Sequence, residues 1–410
     1  MRGLLAILFA WAQAEDVPAG LDPNVYRLAR IKVKMEENLR QLPNYTCVQT
    51  VERSRRLARG RRFELLDTIR LEVAMVGGKE LYSWPGASKF EEKELRDLVG
   101  GGTIGNGTFG LHARSVFLGN GPVFQFDAEF VEDGRKLVRY RYNVPRLLSG
   151  YTLRIGEQKG IAGYYGSFDV HAQTLDLARL EVNASEIPPH LPLSSARDQM
   201  EYQRVRIGEA DFLLPRSSEL VMVDLNGSES RNRTHFSGCR QYTGESVVSF
   251  AEPPPAESGA ALGTVPAIQT PAIQTLREGE FLDVRLDQGI RFGEAAVGDR
   301  VYGTLLTNLK TKGRVLLPKG AVLRGRVRLI EKYMARVEII RIGLELEEAE
   351  FPGGRSEFLA KPSTGGMTLP GVRTTVDERG IIYISGTRRE LPQGTRLYWR
   401  VESTTGRKEQ

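Results

Sequence analysis

Ala251-Glu-Pro-Pro-Pro-Ala256, Glu257-Ser-Gly-Ala-Ala-Leu-Gly263 and the doubled pentapeptide Pro266-Ala-Ile-Gln-Thr270, Pro271-Ala-Ile-Gln-Thr275 divide the chain in two. No hydrophobic period of 2 or 3.6 survives in this stretch, and proline has no N–H to give to a ladder. Residues 251–275 therefore read as a linker, which at polyproline II rise can span roughly 75 Å. On either side lie blocks 15–250 and 276–403, each long enough to bury its own core, with a polar tail at 404–410. Two folded domains are expected.

The N-terminus belongs to neither. Met1-Arg-Gly3 is a short basic region, Leu4 to Trp11 is apolar, and Ala12-Gln-Ala14 is a small-x-small cleavage site, so residues 1–14 read as a secretory signal. No later run reaches the roughly 20 apolar residues that span a bilayer, so no transmembrane segment is expected after cleavage. The destination is periplasmic or secreted. Two cysteines, Cys47 and Cys239, in a chain sent to an oxidising compartment are expected to pair. The net charge of +6 rests on arginine, but the basic clusters are not interleaved with aromatics, so no nucleic-acid partner is expected. Anionic lipid or glycan surfaces fit better.

In the first block, Asp22-Pro23 supplies an N-cap and a first-turn proline, and Val25, Leu28, Ile31, Met35 and Leu39 then recur at intervals of three and four until Pro43. That pattern predicts an amphipathic helix. Strand signals follow at Tyr45 to Val51, Phe63 to Val76, Gly121 to Val131, Leu137 to Tyr142, Tyr151 to Ile155, Leu177 to Val182, Gln199 to Ile207, Phe212 to Val223 and Ser230 to Tyr242. The fold class is mainly β (α+β): one helix, then an antiparallel meander, then a small β-barrel or sandwich.

A helix running into Leu42-Pro-Asn-Tyr-Thr-Cys-Val-Gln-Thr-Val51, then strands, with Gly166-Ser-Phe-Asp-Val-His-Ala-Gln-Thr-Leu-Asp-Leu-Ala-Arg-Leu-Glu-Val182 as a strand pair, resembles the half-barrel domains of lipoprotein-sorting carriers and periplasmic stress sensors. The resemblance implies a curved sheet whose concave face shelters an acyl chain, with the helix as its plug. A concave face filled by the chain's own side chains stands as the alternative.

Three features of this block invite chemistry. Arg53, Arg55, Arg56, Arg59, Arg61 and Arg62 crowd a turn at Arg59-Gly60, either as an anion-binding hairpin tip or as a solvated charged loop. Gly105-Asn-Gly107-Thr-Phe-Gly110 fits the dinucleotide pattern but follows no buried strand, so it reads as a flexible loop. His112, His171, His190 and His235 lack metal-ligand spacing and read as surface or satisfied residues, so no metal and no cofactor is expected.

Beyond the linker, Gly279 to Ile290, Val301 to Leu306 and Val322 to Leu329 alternate at period two. Leu317-Pro-Lys-Gly320 and Leu391-Pro-Gln-Gly394 repeat one proline–glycine device, each launching a strand, as two related corners of one fold. Val297-Gly-Asp-Arg-Val301 with Gly313 to Val327 resembles the C-terminal β-barrel of conjugal-transfer scaffold proteins and similar small exported bacterial β-domains. On Val322 to Leu329, Leu323, Val327 and Leu329 are expected inward and Arg324, Arg326 and Arg328 outward, as a basic face balanced by Glu345, Glu347, Glu348 and Glu350.

No G-x-S-x-G elbow, Ser-x-x-Lys pair, H-E-x-x-H or phosphate loop is found, so a non-enzymatic protein is expected. Two readings stand. One is an envelope protein binding a hydrophobic ligand or lipoprotein through the half-barrel, with the second domain for docking to envelope proteins. The other is a scaffold of the envelope or of a secretion assembly, with the half-barrel filled.

Overall fold

The structure, a computed structural model, describes residues 21–87, 90, 95–99, 103–105, 107–242, 272–273, 276–334, 338–364, 373–385 and 389–402. The expected signal at 1–14, most of the expected linker and the polar tail lie outside the described residues. The chain is mainly β.

Helix α1 (Pro23–Gln41) starts where its cap predicts: Asp22 accepts a hydrogen bond from the Asn24 N–H at 2.7 Å, and Pro23 fills the first turn. Ile31, Met35 and Leu39 are buried. Val25, expected on the same face, is 55% exposed, although the sheet reaches the first turn through the Tyr140 hydroxyl, which donates to Asn24 O at 2.8 Å.

Ten strands follow: β1 (Tyr45–Arg56), β2 (Glu64–Val76), β3 (Lys79–Ser83), β4 (Val123–Glu132), β5 (Arg135–Val144), β6 (Gly163–His171), β7 (Leu177–Ser185), β8 (Leu193–Ile207), β9 (Ala210–Asp224) and β10 (Glu229–Gln241). They form one antiparallel sheet in the order β3-β2-β1-β10-β9-β8-β7-β6-β5-β4. The expected strand at Tyr151 to Ile155 stands apart, in a two-stranded hairpin of Thr152–Ile155 with Gln158–Ile161. Register shifts at Thr46/Val48, Arg53/Ser54 and Glu201/Tyr202 introduce bulges, the device that bends a sheet.

Into the concave face fall α1 and α2 (Leu111–Phe117). Ile31, Met35, Val116 and Phe117 pack on Tyr140, Phe168, Leu180 and Met200. Phe117 meets Phe168 edge-on at 5.0 Å, and Tyr140 stacks on Phe168 at 5.5 Å. Most of the concave face is therefore filled by the chain's own helices.

Cys47 on β1 and Cys239 on β10 form a disulfide between neighbouring strands, beside the Thr46/Val48 bulge. The bond ties the first strand of the sheet to the last in sequence.

The second unit closes on itself. Strands β11 (Phe281–Leu286), β12 (Arg300–Leu305), β13 (Val322–Met334), β14 (Glu338–Phe351), β15 (Gly354–Pro362) and β16 (Arg396–Glu402) run β15-β16-β11-β12-β13-β14 and back to β15, a six-stranded barrel with Trp399 in its core. The two proline–glycine corners are equivalent. Gly320 N–H donates to Leu305 O and Gly394 N–H to Leu286 O, both at 2.8 Å, and both glycines have positive φ. One expectation fails on β13: a register shift between Val327 and Leu329 flips the alternation, so Ile330, not Leu329, is buried.

Alkylation without prior reduction should modify neither Cys47 nor Cys239, and labelling of both thiols would contradict the bond. Cys47→Ala with Cys239→Ala should lower stability by about 2–4 kcal/mol, read from the denaturant midpoint.

Candidate functional site

Glu80 on β3 organises one mouth of the half-barrel. Its carboxylate accepts from the Gly110 N–H at 2.9 Å, the Leu111 N–H at 3.2 Å and the Gly107 N–H at 2.9 Å, and from the Tyr82 hydroxyl at 2.6 Å. The glycine-rich stretch is thus corrected from flexible loop to cap. Its N–H groups do face an anion, and the anion is the chain's own Glu80. Gly107 has φ +92, and a Cβ on Gly110 would lie 2.5 Å from Met75 Cε.

Beside this cap, between the end of α1 and the start of β1, opens a cavity of about 320 Å³. Leu39, Leu42, Phe109, Ala113, Leu213 and Pro215 supply apolar wall, Arg40 and Arg114 supply charge, and Tyr45 and Tyr202 supply phenols. The buried Tyr202 hydroxyl has no hydrogen-bond partner. Burial, seconded by the charge of Glu80, pushes its pKa well above the ordinary tyrosine value, so it remains a neutral donor. Among the described residues the lining contains neither carboxylate nor imidazole.

His112 departs from its expected surface or satisfied state. It is buried, its Nε2 lies 3.4 Å from a buried Asp198 oxygen without a hydrogen bond, and its ring meets Tyr151 edge-on. Sequence spacing gives no sign of this contact, since the partners lie on α2 and β8. Among the described residues no three His, Cys, Asp or Glu side chains are grouped to hold a metal, and no helix is long and apolar enough to cross a membrane.

The arginine cluster divides. Arg53 is buried in a bidentate pair with Asp67, and Arg56 pairs with Glu229 while lying over the Phe63 ring. Arg53 and Arg56 therefore leave the expected tip, and Arg55, Arg59, Arg61 and Arg62 remain exposed there. Since the cavity is lined by Tyr45 and the tip follows Arg56, β1 separates them by roughly 35 Å, so the arginines do not guard the mouth.

On the second basic face the expected balance by glutamates is present at Arg324 and Arg328, and the outward placement of Arg326 is corrected. Arg324 pairs with Glu348 and Glu350, and Arg328 with Glu345 and Glu347. Arg326, only 6% exposed, points not to solvent but into a seam between the two units. It pairs with Glu347 at 3.3 Å and donates to Pro85 O at 2.8 Å and to Gly298 O at 3.2 Å. Burial pulls its pKa below the ordinary arginine value, against the opposing pull of Glu347.

Along the same seam, Arg70 N–H donates to Val297 O and Val297 N–H to Thr68 O, both at 2.8 Å. Arg70 pairs with Asp299, Arg300 donates to Gly86 O, and Arg328 lies over the Trp84 ring at 5.1 Å. At Gly298, φ is +100 and a Cβ would stand 2.3 Å from Arg70 O, so glycine alone fits.

No family model matches the sequence, and no curated protein matches it significantly. Among solved structures, the chain is similar to an outer membrane lipoprotein-sorting protein domain from Vibrio parahaemolyticus, at 10% identity and a TM-score of 0.28, over 52% of this chain and 92% of that one.

Gly298→Ala should open the seam while both units stay folded: tryptophan emission shifts to the red as Trp84 gains water, with the far-ultraviolet circular dichroism unchanged. Unaltered emission and an unaltered unfolding transition would contradict the seam. Arg326→Ala should destabilise by about 2–4 kcal/mol, because two carbonyls lose their donor in a buried place.

Proposed function

We propose that this is an exported, non-enzymatic binding protein that takes a small single-chain anionic amphiphile in the half-barrel mouth, with the barrel as a docking unit for other envelope proteins. The observation that carries the reading is the 320 Å³ cavity, apolar on its walls, with Arg114 and an unpartnered Tyr202 hydroxyl among its lining. Its volume lies at the small end of ligand sites. A lining of guanidinium, phenol and apolar groups suits binding a carboxylate or phosphate headgroup and offers no general base. Export is supported by the disulfide, which persists in an oxidising compartment, and by the signal-like sequence at 1–14.

A scaffold reading has its own support in the packing of α1 and α2 against Phe168 and Tyr140, side chains of the concave face. The two readings part in one titration.

With fluorescent fatty acids of increasing length, binding to the mature chain should be saturable and tighten roughly fourfold per methylene, then level off once the cavity is full. Tyr202→Phe should weaken the carboxylate by about tenfold with stability unchanged. No binding at any length would sink the cavity reading and leave the scaffold.

A further inference from the structure

At the end of β1 away from the cavity, every residue from Leu57 to Arg62 is exposed. The β9–β10 connection (Leu225–Ser228) touches this turn, since a Cβ on Gly227 would lie 3.5 Å from the Ala58 Cβ. The two connections together display Leu57 at 59% exposure, Leu225 at 69%, and Leu65 and Leu66 just behind, beside Arg55, Arg59, Arg61 and Arg62. Among the described residues none of these four arginines has an ion-pair partner. Glu64 is the one carboxylate between Leu57 and Leu66, and Glu229 is already held by Arg56. At the base of the turn the Arg56 and Arg231 guanidiniums lie over the Phe63 ring, 4.9 and 3.9 Å from its centroid.

We propose that these two connections form a docking surface for an anionic phospholipid membrane. Unpaired guanidinium groups bind lipid phosphates in forked geometry, and the adjoining exposed leucines enter the headgroup–acyl boundary by about 5–10 Å. The leucines decide between classes of anion, because a hydrated polyanion offers them nothing to enter. Gln or Asn at the four arginine positions would remove the attraction, and Lys would keep most of it. The surface is separate from the mouth cavity and stands whether or not that cavity binds a ligand.

The test is co-sedimentation of the mature chain with vesicles of phosphatidylcholine, with and without phosphatidylglycerol, at low and high salt. Binding should require phosphatidylglycerol and weaken with salt. Arg59→Gln, Arg61→Gln and Arg62→Gln together should lower affinity by about a hundredfold, at roughly fivefold per arginine. The corresponding Lys triple variant should retain binding, which separates lost charge from misfolding. Leu57→Ser with Leu225→Ser should also weaken vesicle binding severalfold while leaving retention on heparin unchanged. Equal binding to both vesicles, or to neither, overturns the proposal. So does phosphatidylglycerol binding that survives the Gln variant, or that is indifferent to the leucines, which would mark a site for soluble polyanions instead.

Discussion

The free edge of β2 at Thr68–Arg70 constrains the whole molecule. β3 pairs with β2 only from Glu72 onward, so the Thr68–Arg70 edge has no partner within its own sheet on that side. Exposed strand edges recruit other chains. Here Val297, from the loop before β12, makes two hydrogen bonds to that edge and bridges Ile69 in parallel, so the barrel covers this stretch of the half-barrel's edge. Once that backbone contact is made, Gly298 must be glycine, Asp299 meets Arg70, and Arg326 is drawn in to satisfy two carbonyls. A hydrophobic cluster then runs without interruption from Ile69 and Leu71 into the barrel core.

What the sequence discloses and what it hides divide by range. Helix α1, its Asp22 cap, the strand succession and the two proline–glycine corners were legible because each depends on residues a few places apart. The Cys47–Cys239 pairing was legible because two cysteines leave one choice. Three things were hidden. Glu80 capping the loop at 107–111 joins residues about thirty apart with no shared motif. The bulge on β13 reverses an alternation that reads perfectly well without it. Arg326 looked like an outward residue by parity, and it is outward from its barrel, but its outside is the inside of the seam. The same holds for Val297-Gly-Asp-Arg300: the pattern resembled a family's barrel, while here its residues serve the seam.

Functionally, β1 is the axis. Its first residue lines the cavity and its last leads into the arginine–leucine turn, so the cavity and the turn lie at opposite ends of one twelve-residue strand. The disulfide sits near the cavity end and pins β1 to β10, while Arg53–Asp67 pins β1 to β2 near the other. A strand held at both ends keeps the two places in a fixed relation, and the seam on β2 holds the barrel to that same frame.

The most direct measurement is to place a specific protease site within residues 251–271, cleave, and run the product on a native gel-filtration column. A seam that covers the β2 edge predicts that the two fragments elute together at the size of the uncut chain. Their elution as two separate species would contradict it.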